Sequence, residues 1–166
     1  MGEKKEYTGL DAKNNCKSNE VIIRRALGIL RYLKHNTDKD HPTTQTEMRG
    51  AFDIGSKSTF NKMIKDMAKA LDFNEDEKEV DSDEEKPRLL FRNFESIMRG
   101  ESSSLKDIYY NHPFSQDEVR KIVTAIKTST IILPDEQDKL IEKVKSELAS
   151  EHFKDTSDAI YTKEQV

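Results

Sequence analysis

Tryptophan is absent from this chain, cysteine occurs once, and its 166 residues include only four prolines and six glycines. Each shortage removes a class of structure or chemistry. The lone Cys16 cannot close an internal disulfide, so packing alone must hold the fold. Neither a long apolar run nor a signal-peptide pattern opens the sequence, so the expected location is the cytoplasm, with no membrane partner. The glycines form neither a P-loop nor a dinucleotide fingerprint. His35, His41, His112 and His152 are scattered, with no cysteine or second histidine at metal-ligand spacing, and are expected to be ordinary surface or turn histidines. The many carboxylates fall on charged helix faces, where they stay ionised, whereas paired acid and base roles need surroundings that push two pKa values apart. No catalytic residue, metal or cofactor is therefore expected, and the chain does not read as an enzyme.

Hydrophobic residues supply 34% of the chain and aromatics 7%, which limits the protein to small cores under much solvated surface. Charged residues make up 36%, a level that suits disorder when spread evenly, but here the apolar residues gather into helical stripes and the chain should fold. The net charge of −4 argues against nucleic acid until its distribution is considered. Residues 17–73 hold eleven Lys/Arg against seven Asp/Glu, whereas residues 74–85 hold eight Asp/Glu against Lys78 alone. A basic segment followed by an acidic one is the kind of asymmetry that matters to a DNA-binding argument.

The periodicity predicts a mobile arm over 1–17 and then a first helix from about Asn19 to Lys34. Ile23, Ala26, Leu27, Leu30 and Leu33 form its apolar side, and Arg24, Arg25 and Arg31 lie off that stripe. Thr44 with Glu47 gives the T-x-x-E signature of a capped second helix over about 45–52. Gly55 and Ser56 read as a turn, with Ser56 capping a third helix that ends near Leu71. In that helix Phe60, Met63, Ile64, Met67 and Leu71 make one buried stripe, and Lys57, Ser58, Asn61, Lys62, Lys65 and Lys69 make the opposite face. This pattern predicts a helix-turn-helix whose recognition helix, about 57–71, enters the major groove of double-stranded DNA. Ser58 and Asn61 suit base edges and Lys62 and Lys65 suit phosphates, with Lys57 near the amino end and Thr59 a cap or phosphate contact. Thr44, Arg49, Ser56, Arg88 and Arg92 are weaker phosphate candidates. A plain solvated helix face is the alternative for Ser58 and Asn61, as it is for Arg24, Arg25 and Arg31.

Beyond the third helix, 71–74 and 89–94 are expected to pair as a two-stranded wing around an acidic loop at 74–87. The expected fold is thus mainly α: a winged helix-turn-helix over 18–99, a junction over 100–112 with a short strand at Tyr109 and Tyr110, and an antiparallel helix pair. Ser115 with Glu118 repeats the capping signal for the first of that pair, whose stripe is Val119, Ile122, Val123 and Ile126. Pro134 opens the second, with Leu140, Ile141, Val144 and Leu148 as its stripe. This connector, 113–152, is the expected dimerisation region of a homodimer, ahead of a tail at 153–166.

Asp40-His41-Pro42 with Thr44-Gln45 and Glu47, the segment from Ser56 to Met67, and Tyr109-Tyr110 through Phe114 and Ser115 to Glu118, Ala125 and Ile126 resemble the amino-terminal half of bacterial WYL-domain transcription regulators. The resemblance spans about residues 19–152. It implies a winged helix-turn-helix and helical connector ahead of a ligand-sensing barrel. Asn61 stands where the family has Tyr, and Lys57 and Lys62 where it often has Arg, so base preference does not carry over. No W-Y-L motif is present, and the sequence stops where the barrel would begin, which implies a missing carboxy-terminal sensing domain or a shortened relative. The alternative reading is a winged-helix protein-interaction module whose acidic stretch acts as a docking or DNA-mimicking segment.

Overall fold

The computed structural model describes residues 9–72, 87–102 and 104–155, with side-chain surroundings given from residue 19 onward except at Asp72. The expected acidic loop lies almost wholly outside these residues. Among them are six helices and two short strands: α1 (Gly9–Asn36), α2 (Gln45–Ala51), α3 (Lys57–Asp72), β1 (Leu89–Leu90), α4 (Phe94–Met98), β2 (Tyr109–Tyr110), α5 (Gln116–Lys127) and α6 (Pro134–Leu148). The molecule is mainly helical, with a small antiparallel sheet.

The start of α1 differs from the expected one: the helix begins at Gly9, ten residues before Asn19. Polar residues without proline can extend a helix that apolar periodicity cannot detect. Its buried stripe differs in part. Leu33 is fully buried as expected and Ile29 joins it, whereas Ile23 and Leu27 are more than half exposed, as are Val21 and Ile22. Gly28 lets α1 approach α2, because a Cβ there would stand 3.2 Å from the Phe52 ring, and Tyr32 meets that ring edge-on at 5.7 Å.

Both predicted capping boxes are present. Thr44 accepts from the Glu47 backbone N–H while the Glu47 carboxylate accepts from the Thr44 N–H, and Ser115 and Glu118 do the same for α5. The turn after α2 begins ahead of the expected Gly55 and Ser56, with Asp53 in the left-handed conformation at φ 51°. The Ile54 N–H then reaches back to the Arg49 carbonyl at 2.9 Å, closing the end of α2.

The sheet also departs from the predicted wing. Leu71 and Asp72 remain in the last turn of α3, because Leu71 continues the buried period. The partner of β1 is β2, with Leu89 opposite Tyr110 and Leu90 opposite Tyr109. On its other side, Ile108 bridges antiparallel to Thr43, from the α1–α2 connection. The segment holding β2 thus lies between two partners from distant parts of the chain. Phe94, expected in a strand, instead opens α4. The first core joins Ile29, Leu33, Met48, Ile54, Phe60, Ile64, Leu89, Ile97, Leu105 and Ile108, so it runs past the expected boundary at residue 99.

A second core forms between α5 and α6 from Val119, Val123, Ile126 and Ile141, with Phe153 against it. Glu118 and Val119 at the start of α5 line one cavity with Leu148 and Ala149 at the end of α6, so the pair is antiparallel. The second core docks on the carboxy-terminal end of α1 through polar contacts. Carbonyls at a helix end lack intrahelical partners, and here other segments supply them. The His35 carbonyl accepts from the Glu151 N–H at 2.7 Å, that of Asn36 from His152 Nε2 at 3.1 Å, and that of Thr37 from His112 Nε2 at 3.0 Å. Ser150 donates to Asp38 at 2.5 Å, and Lys34 pairs with Glu147 at 2.8 Å. His41 and His152 stack with centroids 4.0 Å apart. His112 and His152 are thus structural partners rather than plain surface histidines.

Thr37 is buried, donates its hydroxyl to the Leu33 carbonyl at 2.6 Å and accepts from the Tyr110 N–H at 2.9 Å. Thr37→Val keeps the shape and leaves that N–H without its acceptor, so urea unfolding should report a loss of about 1–3 kcal/mol.

The docking should also respond to acid in two stages. Burial lowers the pKa of His112, so a proton that the unfolded chain binds near its ordinary value, about 6.5, is refused by the native state until lower pH. Stability therefore falls as pH drops through that range, and His112→Gln should remove this first stage. Burial raises the pKa of Asp38, but hydrogen bonds from Ser150, His41 and the Asp40 backbone outweigh it and hold the carboxyl below its usual range. Its contribution is present above the unfolded value and lost as pH falls through the folded one. Hydrogen exchange at the Glu151 amide should accelerate in that second, more acidic stage.

Candidate nucleic-acid interface

Helix α3 divides its side chains as the sequence predicts. Phe60, Ile64 and Ala68 are completely buried against α1, α2 and the sheet, and Met63, Met67 and Leu71 fill in around them. Lys57, Ser58, Thr59, Lys62 and Lys69 are exposed, while Asn61 and Lys65 are half-buried at the margin of that face. The helix starts as expected: the Ser56 hydroxyl accepts from the Thr59 N–H at 3.3 Å, and it also meets the Ser58 hydroxyl at 2.8 Å. Four lysines spaced along sixteen residues make a cationic ridge on this helix, interrupted only by Asp66. About 24 Å of helix at 1.5 Å per residue carries it, enough to track one groove.

Asn61 is tied to α2, because the Gln45 amide donates to its side-chain carbonyl oxygen. That bond fixes the Asn61 rotamer across the helix-turn-helix. It also occupies one lone pair of the oxygen that a two-pronged contact with adenine would use. Ser58 and Asn61 are therefore held by neighbours within the motif, and Gln45 is a positioning residue that reading α3 by itself passes over.

Among the weaker candidates, Thr44 and Ser56 are spent on caps. Arg49 braces the turn: its Nε donates to the Ile54 carbonyl at 3.0 Å and a terminal nitrogen donates to the Gly55 carbonyl. Its role is to fix the angle between α2 and α3, not to project toward a ligand. Arg92 pairs with Asp107 at 2.5 Å while staying largely exposed, which lowers the positive field it can offer. Arg88 is half-buried and lines the cavity between the two cores, so it does not join the α3 ridge. The structure thus gathers Lys57, Ser58, Thr59, Asn61, Lys62 and Lys65 on one helix and turns the other five to local duties.

Among the described residues no three His, Cys, Asp or Glu side chains stand where they could hold a metal ion, and no helix is long and apolar enough to cross a membrane. No protein-family model, curated protein or solved structure matches the chain.

Proposed function

We propose that this protein binds double-stranded DNA through α3, as a bacterial transcriptional regulator of winged helix-turn-helix type. The observation that carries this reading is the division of α3 into an apolar stripe centred on fully buried Phe60, Ile64 and Ala68 and an exposed face that bears lysine, serine and threonine. The connectivity supports it as well. A winged helix interposes a strand between its first two helices and places that strand beside the returning strand of the wing. Here Thr43 lies between α1 and α2 and bridges Ile108, and the adjoining β2 pairs with β1, an order of partners that is compatible with such a fold. The likeness to WYL-domain regulators rests on the segments 40–47, 56–67 and 109–126.

Lys57, Lys62, Lys65 and Lys69 would neutralise phosphates, Ser58 and Asn61 would approach base edges, and Gln45 would keep Asn61 in place. If these four lysines meet phosphates, log affinity falls with log salt with a slope of roughly −3 to −4. Fluorescence anisotropy with labelled duplexes at several salt concentrations checks the slope. The triple change Lys57→Glu, Lys62→Glu, Lys65→Glu should abolish binding without altering the fold. A flat salt response or unchanged binding would instead favour the protein-interaction reading.

Such a reader works in pairs on two half-sites. The α5–α6 unit spends most of its apolar face internally. We therefore place the pairing surface on α1, where Val21, Ile22, Ile23 and Leu27 are each more than half exposed. Sedimentation of Ile23→Glu with Leu27→Glu should give a monomer where the parent chain gives a dimer, whereas Ile131→Glu with Leu133→Glu, at the tip of the connector, should leave the dimer intact.

A further inference from the structure

The bond that fixes Asn61 fixes Gln45 equally, and Gln45 is held from both ends. Its backbone opens α2 inside the capping box. There the Glu47 carboxylate accepts from the Thr44 N–H at 3.0 Å and from the Thr43 hydroxyl at 2.8 Å, and Thr43 is itself bonded to Ile108 in both directions, at 2.8 and 2.9 Å. The far end of the side chain donates through Nε2 to the Asn61 carbonyl oxygen on α3. Asn61 lies in a row with Ser58 and Lys65, at the margin of the exposed lysine face. The sheet and two helices thus order a long, neutral side chain, which costs rotamer entropy, and set its amide beside the residues that would meet a duplex.

That amide keeps hydrogen-bonding capacity. A primary amide carries two N–H donors and one acceptor oxygen, and Asn61 takes one hydrogen. Among the described residues nothing donates to Gln45 Oε1, and this half-buried side chain leaves the oxygen in contact with solvent. The Asn61 oxygen, by contrast, already accepts from Gln45. The second hydrogen and Oε1 of Gln45 form a donor–acceptor edge. Adenine complements such an edge in the major groove, because its N7 accepts and its exocyclic amine donates. Guanine offers two acceptors there and would set oxygen against oxygen.

We infer, on the reading that α3 binds DNA, that Gln45 is a specificity-determining residue that reads adenine, and that Asn61 is the positioning residue that orients its amide. A base preference then comes from the first residue of α2 rather than from α3 alone.

The test begins with selection of duplexes from a pool with a randomised core, using the full chain. Fluorescence anisotropy then compares the selected duplex with versions that carry, at each selected adenine in turn, guanine or 7-deazaadenine, which lacks N7. At one adenine per half-site the parent chain should lose about tenfold or more on either replacement. Gln45→Ala keeps the Thr44–Glu47 cap and puts a good helix former in the first turn. It should bind the unmodified duplex about tenfold more weakly and cease to respond to removal of N7. Asn61→Ala leaves the reader in place but loosely held, so removal of N7 should still weaken it several-fold. A merely structural role for either residue would weaken all duplexes alike. Gln45 is not the reader if selection returns no fixed adenine, if Gln45→Ala keeps the parent's response to N7, or if Asn61→Ala abolishes that response. Each of these results leaves salt-dependent binding by α3 standing, whereas a parent chain that binds no duplex removes both readings.

Discussion

The last turn of α1 governs the architecture. A helix must end with carbonyls that no later residue of the same helix can reach, and leaving them buried without donors costs as much as losing several hydrogen bonds. This chain does not send those carbonyls to water. Residues 35, 36 and 37 receive donors from Glu151, His152 and His112, while the Thr37 hydroxyl holds the middle strand through Tyr110. One helix end thereby becomes the joint at which the sheet, the linker and the second core all meet. The two cores are small, as the composition requires, and neither offers the other a broad apolar face; directional bonds do the joining instead.

The same economy of apolar surface shapes α3. Phe60, Ile64 and Ala68 are buried in the first core, the second core docks elsewhere, on the end of α1, and among the described residues Lys57, Lys62 and Lys69 are exposed. Rigidity on that side comes from α2. The Ile54 and Arg49 contacts fix the turn, and Gln45 holds Asn61, so the polar residues that would face a ligand are carried on a braced support rather than on a loop.

Much of this was legible in the residues, and what was not has physical causes. The caps at Thr44, Ser56 and Ser115 and the stripe of α3 follow from local chemistry, because each needs only neighbours within one turn. The stripe of α1 does not. Ile29 with Leu33 and Ile23 with Leu27 both satisfy helical spacing, and only the position of Phe52 and its neighbours decides which pair is buried. Strand pairing is hidden for a similar reason: Leu89 and Leu90 are plainly suited to a sheet, but nothing local states that Tyr109 and Tyr110 lie opposite while Leu71 and Asp72 stay helical. The left-handed turn residue is Asp53, a conformation that aspartate tolerates without any local sequence signal that requires it. The candidate interface was accordingly readable where it is helical and local. The brace role of Arg49 and the cavity beside Arg88 required the tertiary structure.

The central place of the β2 segment has a consequence for the birth of the protein. Thr43 and Ile108 are paired, as are Leu89 and Tyr110, so the sheet can close only after the ribosome has added more than sixty residues beyond its first member. Until then the three leading helices emerge with one flank of their core open to solvent, and such delayed, long-range closure slows folding and leaves apolar surface uncovered for longer. A shortened gene product that stops after α3 would contain every residue of the lysine-bearing helix and still lack the strand that seals the interior behind it.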